Sequence, residues 1–216
     1  RRELLMAEGL ISSVKFRPEG ILLNGDPAHT DARVRPGDVL SILIADRGKN
    51  TAAPLDLPLS IRWEDDAFAV IDKPAGLGVY GEGTPNIAGF LARKWGEKIE
   101  FHPVNRLDVG TTGLMIAAKD GYTHDRLRRM LHTDAFLREY LAVAQGAAEA
   151  EGSMHDLLYH DAGKNKTYVV RRQRRGVREA ELSYQTLAQN EALSLVRIRL
   201  LTGRSHQIRI QFASRK

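Results

Sequence analysis

The amino-acid sequence predicts an α+β fold: a mixed, mainly antiparallel sheet with a few flanking helices. Two observations carry this expectation. Apolar segments of strand length follow one another along most of the chain without regular helical crossovers, which a parallel sheet would need. Two segments, Asn86 to Trp95 and Tyr122 to Leu131, instead repeat their apolar residues at helical spacing. With 216 residues, 43% of them apolar, the chain can bury one core of ordinary size, or a main core with a small appendage.

The elements follow in order. Residues 1–46 form a small N-terminal module. Ile21-Leu22-Leu23 runs into Asn24-Gly25, a strong hairpin signal, and Val34-Arg35 runs into Pro36-Gly37-Asp38, a second turn. No helical pattern stands out in Arg1 to Arg17. The segment is too short to bury much alone, and its turns and strands are similar to a small RNA-binding module named after a small-subunit ribosomal protein. Residues 47–58, with Gly48, Asn50, Pro54 and Pro58, read as a linker. Residues 59–216 form the main domain. Ala67 to Ile71 reads as a buried strand closed by Asp72-Lys73-Pro74-Ala75-Gly76. A helix follows at Asn86 to Trp95, with Ile87, Phe90 and Leu91 on one face. Leu114 to Ala118 reads as a strand and Tyr122 to Leu131 as a helix, and Tyr140 to Ala144 as a strand. Further strands are expected at Glu181 to Leu187, Leu193 to Leu200 and His206 to Phe212. In the stretch ending at Leu200, Val196, Ile198 and Leu200 face one way and Arg197 and Arg199 the other.

Composition narrows the function. The chain has no cysteine, which excludes disulfides and thiolate metal sites. No apolar run approaches the roughly 18 residues that cross a bilayer, and Arg1 to Gly9 lacks a signal-peptide pattern. A soluble, cytoplasmic, monomeric protein is expected. Thirty-two basic against 27 acidic residues give a net charge of +5, which favours a polyanionic partner. The charge is concentrated. Lys164, Lys166, Arg171, Arg172, Arg174, Arg175 and Arg178 occur with no acidic residue among them. Such a run suits a solvated loop or hairpin, and equally a phosphate backbone, which would relieve the repulsion. Arg126, Arg128, Arg129 and His132 form a second basic group on a helix, from which Leu127 and Leu131 point inward.

Two polar clusters carry chemistry. In Asn105-Arg106-Leu107-Asp108-Val109-Gly110-Thr111-Thr112-Gly113, an aspartate beside an arginine precedes a buried strand, which suits a carboxylate held at a cleft edge. The same residues suit an Asx-turn that merely closes the loop. In Thr202-Gly203-Arg204-Ser205-His206-Gln207-Ile208-Arg209, the arginines suit a phosphate, a buried carboxylate or an ordinary surface. His206 alone is equally a satisfied core histidine.

Taken together, these clusters resemble the RluA-type pseudouridine synthases. Arg106-Leu107-Asp108-x-x-Thr111-Thr112-Gly113-Leu114 matches the R-L-D-x-x-[TS]-[ST]-G-[LV] signature. Arg138-Glu139-Tyr140-Leu141-Ala142 is similar to [KR]-x-Y-x-A, and Thr202 to Arg209 matches T-G-R-[ST]-H-Q-[IL]-R. Lys73-Pro74-Ala75-Gly76 matches a further turn of that family. The resemblance implies a central catalytic cleft, an RNA substrate (ribosomal or transfer RNA), and no cofactor or metal. It assigns Asp108 to the anomeric carbon of uridine, Tyr140 to stacking on the uracil, and Arg209 to pairing with the aspartate. Arg106 would fill the place of the flipped nucleotide. Arg204, His206, Arg171, Arg172, Arg174 and Arg175 would contact RNA. The residue types fit: a carboxylate suits an oxocarbenium-like centre, and an aromatic face holds a base out of its stack. Asp108, Tyr140 and Arg209 are expected to meet in one cleft; with their strand ends neighbours in one sheet, Arg209 would lie within about 4 Å of Asp108.

Asn105 and Gln211 stand where the family pattern has histidine, and Gly110 where it has an acidic or polar residue; these departures touch substrate choice or loop order. The pattern also continues past the third segment, so the main domain is expected to be short at its C-terminus. Two other classes share part of this pattern. A nucleosidase would use a carboxylate at the same carbon but calls for a second carboxylate, where arginines stand here. A non-catalytic RNA-binding protein could keep a synthase fold. Tritium release from uracil carbon five separates the three.

Overall fold

The computed structural model describes residues 8–44, 51–81, 83–96, 98–131 and 133–215. The chain divides into two compact units, residues 1–129 and 130–216. Among the described residues, no helix is long and apolar enough to cross a membrane.

The first unit opens with α1 (Glu8–Val14), β1 (Ile21–Leu23), β2 (Asp26–Pro27) and β3 (Leu40–Ile42), the strands forming a small sheet in the order β2-β1-β3. Asn24 and Gly25 both adopt positive φ, 54° and 93°, and pair Leu23 with Asp26 across a two-residue turn. This is the hairpin the dipeptide encodes. The Asn24 amide also reaches Asp38 and the Val39 N–H, tying the second turn to the first. The seven-residue α1 is too short to show a helical period in sequence. Residues 51–58 carry no helix or strand, although Ala52 and Leu57 pack against the core that follows.

That core is built by β4 (Ser60–Glu64), β5 (Phe68–Lys73), α2 (Ile87–Trp95), β6 (His102–Pro103) and β7 (Gly113–Ala118), with strand order β4-β5-β7-β6, all antiparallel. Strand alternation turns Ala69, Ile71 and Lys73 of β5 inward. Asn86 caps α2 by accepting the Gly89 N–H at 2.8 Å. Ile87 and Leu91 then pack on Ile71, Phe101 and Met115. The basic helix α3 (Gly121–Met130) exposes Arg126, Arg128 and Arg129. His132 lies outside the described residues.

The second unit is a five-stranded antiparallel sheet, order β10-β9-β11-β12-β8, of β8 (Glu139–Gln145), β9 (Glu151–Asp161), β10 (Lys166–Val170), β11 (Val177–Gln189) and β12 (Leu193–Leu200). Met154, Leu182, Val196 and Ile198 form its core, covered by Ile208 and Phe212 of α4 (Gln207–Ala213). The α+β expectation holds, with the strands divided among three antiparallel sheets. The strand expected at His206 to Phe212 is corrected to a helix. Ile208, Ile210 and Phe212 alternate like a strand, but the buried set is Gln207 and Gln211 with Ile208 and Phe212 beside them, a helical face whose innermost members are polar.

Candidate active site

Asp108 lies where the chain turns from β6 into β7. The antiparallel ladder pairs His102 with Ala118 and Pro103 with Ala117, and the Val104 N–H donates to the Ile116 carbonyl at 2.9 Å. At Asn105 the side chain takes over from the backbone. The Ile116 N–H donates to Asn105 Oδ1 at 2.8 Å, and Asn105 Nδ2 donates to the Leu114 carbonyl at 3.2 Å. The main chain can then leave the sheet, exposing Arg106, burying Leu107 and leaving Asp108 half-buried. The Thr111 N–H closes the turn onto the Asp108 carbonyl at 3.0 Å. From the other side, the Val109 carbonyl accepts the Gly76 N–H at 2.8 Å and Lys73 Nζ at 3.2 Å. Burial pulls the Lys73 ammonium below its ordinary pKa, and the charge of Asp108 opposes that shift.

Tyr140, Arg204, His206 and Arg209 belong to the second unit. Tyr140 stands on β8 opposite Ile198, its side chain packed against the core of the sheet. Just ahead of it, Arg138 Nη2 donates to the Leu201 carbonyl at 2.8 Å. Burial lowers the pKa of this guanidinium; Tyr140 opposes the shift and Arg204 adds to it. A Cβ on Gly203 would lie 2.8 Å from Arg138 Nη1, so the guanidinium passes close over the Thr202-Gly203 turn. Gln207 organises the rest of that turn. Its Oε1 accepts from the Thr202 hydroxyl at 2.9 Å and the Arg204 N–H at 3.0 Å, while Nε2 donates to the Glu181 carbonyl at 3.1 Å. His206 enters α4 in the left-handed conformation. Arg204 Nε donates to the Glu179 carbonyl at 2.7 Å, and Arg209 lies on the exposed side of α4.

The expectation that Asp108, Tyr140 and Arg209 occupy strand ends of one sheet is corrected. Asp108 sits in a turn of the four-stranded sheet, Tyr140 is on a strand of the five-stranded sheet, and Arg209 is on a helix. Arg171, Arg172, Arg174 and Arg175 are all exposed in the loop between β10 and β11, with Arg174 stacked 4.8 Å over the Tyr159 ring. A shallow concavity of about 640 Å³ on the five-stranded sheet, lined by Glu139, Tyr184, Arg197 and Arg199 among others, contains none of the three residues expected to be catalytic. Among the described residues, no three His, Asp or Glu side chains are grouped to hold a metal ion. Sequence reasoning gave no role to Lys73, Arg138 or Gln207. The signal for Lys73 was its parity with Ala69 and Ile71, which places a lysine on the inward face of a strand.

Comparison with known proteins decides the family: a model described as RNA pseudouridylate synthase matches residues 67–214. The chain belongs to the RNA pseudouridylate synthase family. It is similar to the ribosomal large subunit pseudouridine synthase D of Xanthomonas campestris pv. campestris, 33% identical over 202 residues, covering 90% of this chain and 60% of that protein. It is also similar to an uncharacterized RNA pseudouridine synthase of Bacillus subtilis, 30% identical over 205 residues, covering 90% of this chain and 66% of the relative. The chain thus spans 60 to 66% of the length of these two relatives. Among solved structures, human RNA pseudouridylate synthase domain containing 4 superimposes with a TM-score of 0.58 at 27% identity, over 72% of this chain and 64% of that one. Human RNA pseudouridylate synthase domain containing 1 shares the fold, with a TM-score of 0.57 at 18% identity over the same shares. The family match includes the Asp108 turn, β8 and α4.

Proposed function

We propose that this chain is an RNA pseudouridine synthase that isomerises specific uridines of structured RNA through Asp108. One observation carries the reading: a carboxylate stands in a turn fixed from both sides by main-chain and side-chain hydrogen bonds, inside a stretch that matches the family. Such rigidity is what a group acting at one carbon atom needs. In this reading the bond between uracil N1 and ribose C1′ breaks, the base turns, C1′ bonds to carbon five, the proton on that carbon leaves to solvent, and N1 takes up a proton. Asp108 stabilises or captures the electron-poor C1′. The family pattern gives Tyr140 and Arg209 parts in the same reaction, and gives Arg106 the space of the flipped nucleotide. Residues 1–46 and the exposed basic groups contact the RNA backbone. The relative named for the ribosomal large subunit favours ribosomal RNA as substrate.

The test is tritium release from RNA labelled at uracil carbon five. Asp108→Asn keeps the size of the side chain and removes its charge. It is expected to abolish release while leaving RNA affinity within a few-fold. Release surviving within tenfold of wild type would remove Asp108 from the reaction, and free uracil as product would indicate a nucleosidase.

A further inference from the structure

Tyr80 has no part in the chemistry above, although it emerges shortly after Gly76, whose N–H meets the Val109 carbonyl next to Asp108. The chain is held on both sides of it. Leu77 and Val79 are buried, and the Gly78 and Val79 carbonyls accept the Ile87 and Ala88 N–H groups of α2 at 3.0 and 3.1 Å. Beyond Tyr80, Nδ2 of the buried Asn86 donates to the Gly81 and Thr84 carbonyls, both at 2.7 Å. Phe101 backs the ring itself, with centroids 5.4 Å apart and planes tilted by 42°. Phe101 is buried in the core, yet Tyr80 stays 56% exposed. A single exposed aromatic is ordinary on a protein surface. One whose backbone and ring are already fixed has given up the freedom that stacking on a ligand would otherwise cost.

The surroundings name the ligand. Arg106 is exposed in the turn that leads to Asp108. Partial burial raises the Tyr80 hydroxyl above its ordinary pKa; the charge of Arg106 opposes that rise and Glu100 adds to it. The hydroxyl therefore stays protonated at neutral pH, and an uncharged ring stands near a cation. Aromatic faces and guanidinium groups together are what hold unpaired bases and their phosphates.

We propose that Tyr80 is a stacking site for an unpaired base of the RNA, carried by a nucleotide adjoining the target uridine. This rests on the reading that Asp108 is the reacting carboxylate and that Arg106 fills the space of the flipped nucleotide. Tyr80 meets the base and no reacting atom, so it contributes to binding and not to the chemical step.

Photocrosslinking to a single-stranded oligouridylate containing 5-iodouridine tests this directly. Irradiation joins uracil carbon five to a carbon of the stacked ring, with loss of hydrogen iodide. Peptide mass spectrometry is expected to place a uridine adduct on Tyr80, and a map without that adduct would overturn the proposal. The crosslink needs no variant, so it decides even where a substitution disturbs the loop. Stacking on one aromatic ring strengthens binding by about 5- to 150-fold. Tyr80→Ala is therefore expected to weaken binding of the same oligonucleotide at least about fivefold, whereas Tyr80→Phe keeps the ring and stays within about twofold of wild type. Unchanged affinity in Tyr80→Ala would overturn the proposal, as would equal weakening in Tyr80→Phe, which would place the interaction in the hydroxyl. In tritium release, Tyr80→Ala is expected to raise KM at least about fivefold with kcat within about threefold. A kcat lowered about tenfold at unchanged KM would put Tyr80 in the reaction instead and overturn its role as a binding site. Absence of release from the wild type would remove the synthase reading, and the crosslink would then decide Tyr80 by itself.

Discussion

Asn105 does with one side-chain amide what two backbone groups do elsewhere in the ladder. Its Oδ1 and Nδ2 satisfy the Ile116 N–H and the Leu114 carbonyl, so β7 keeps its partners where the backbone of the opposite strand departs toward Asp108. Asparagine stands here in place of the histidine of the family pattern, and its bonds tie this departure to loop order. Asn105→Leu removes both partners at once. Leaving such groups unsatisfied costs about 1–3 kcal/mol, and urea unfolding is expected to show a loss in that range. Asn105→Asp keeps the acceptor for Ile116 and loses the donor to Leu114, so it is expected to retain roughly half of the stability that Asn105→Leu loses. Equal losses in the two variants would mean that the bond to Ile116 contributes nothing. As a candidate, Asp108 was legible from its neighbours in sequence, because Arg106 to Leu114 is one contiguous motif. Asn105 and Lys73 were not. Their partners are backbone atoms, which leave no trace in residue identity.

At the scale of elements, legibility followed how cleanly apolar residues mark the buried side. α2 has a capping asparagine and an apolar face, and β12 alternates Val196 and Ile198 with Arg197 and Arg199; both lie where the sequence predicts them. The eleven-residue β9 went unread because polar residues fill most of its first half, where Met154 is the buried anchor. α4 was misread because glutamines occupy its inner face. Gln211 is fully buried, and its Nε2 donates to Asp156 Oδ2 at 2.8 Å and to the Ala180 carbonyl at 3.2 Å. Arg215 Nη1 reaches the same carboxylate oxygen at 2.8 Å. These contacts pin α4, and with it Arg209, to β9. Burial pushes the Asp156 carboxyl up, but hydrogen bonds from Arg215 and Gln211 outweigh it and hold the pKa below the ordinary value of 3.8. A carboxyl depressed in the folded state contributes stability that is present above its unfolded value and lost as pH falls through its folded value. Asp156→Asn is thus expected to cost about 1–2 kcal/mol at neutral pH. The difference from wild type should shrink below pH 3.8. Urea titrations at the two acidities measure this, and a pH-independent difference would show that the charge of Asp156 contributes nothing.

Over the whole molecule, sequence and structure agree most simply on charge. The excess of +5 is not spread evenly. Arg171, Arg172, Arg174 and Arg175 project from one exposed loop at the end of the outermost strand of the five-stranded sheet, and Arg126, Arg128 and Arg129 from α3. Neither group buries its cations, so folding does not require them, and a polyanion would relieve their mutual repulsion. Replacing a condensed counter-ion atmosphere on RNA with protein cations makes affinity fall with salt, by about 0.7 to 0.9 in log–log slope for each phosphate contacted. Replacing Arg171, Arg172, Arg174 and Arg175 together with alanine is therefore expected to flatten the slope by up to about 3, with little change in melting temperature. Arg174 is the partial exception in stability, since its guanidinium also lies on the Tyr159 ring. The measurement is RNA affinity across a salt series for wild type, the quadruple variant and Asp108→Asn. Asp108→Asn should keep the wild-type slope, because losing one carboxylate in a fixed turn removes no phosphate contact. A quadruple variant with an unchanged slope would make the loop an ordinary solvated surface and move the electrostatic footprint to α3 and the N-terminal module. A flattened slope in Asp108→Asn would instead place that aspartate's loop in the phosphate-binding surface.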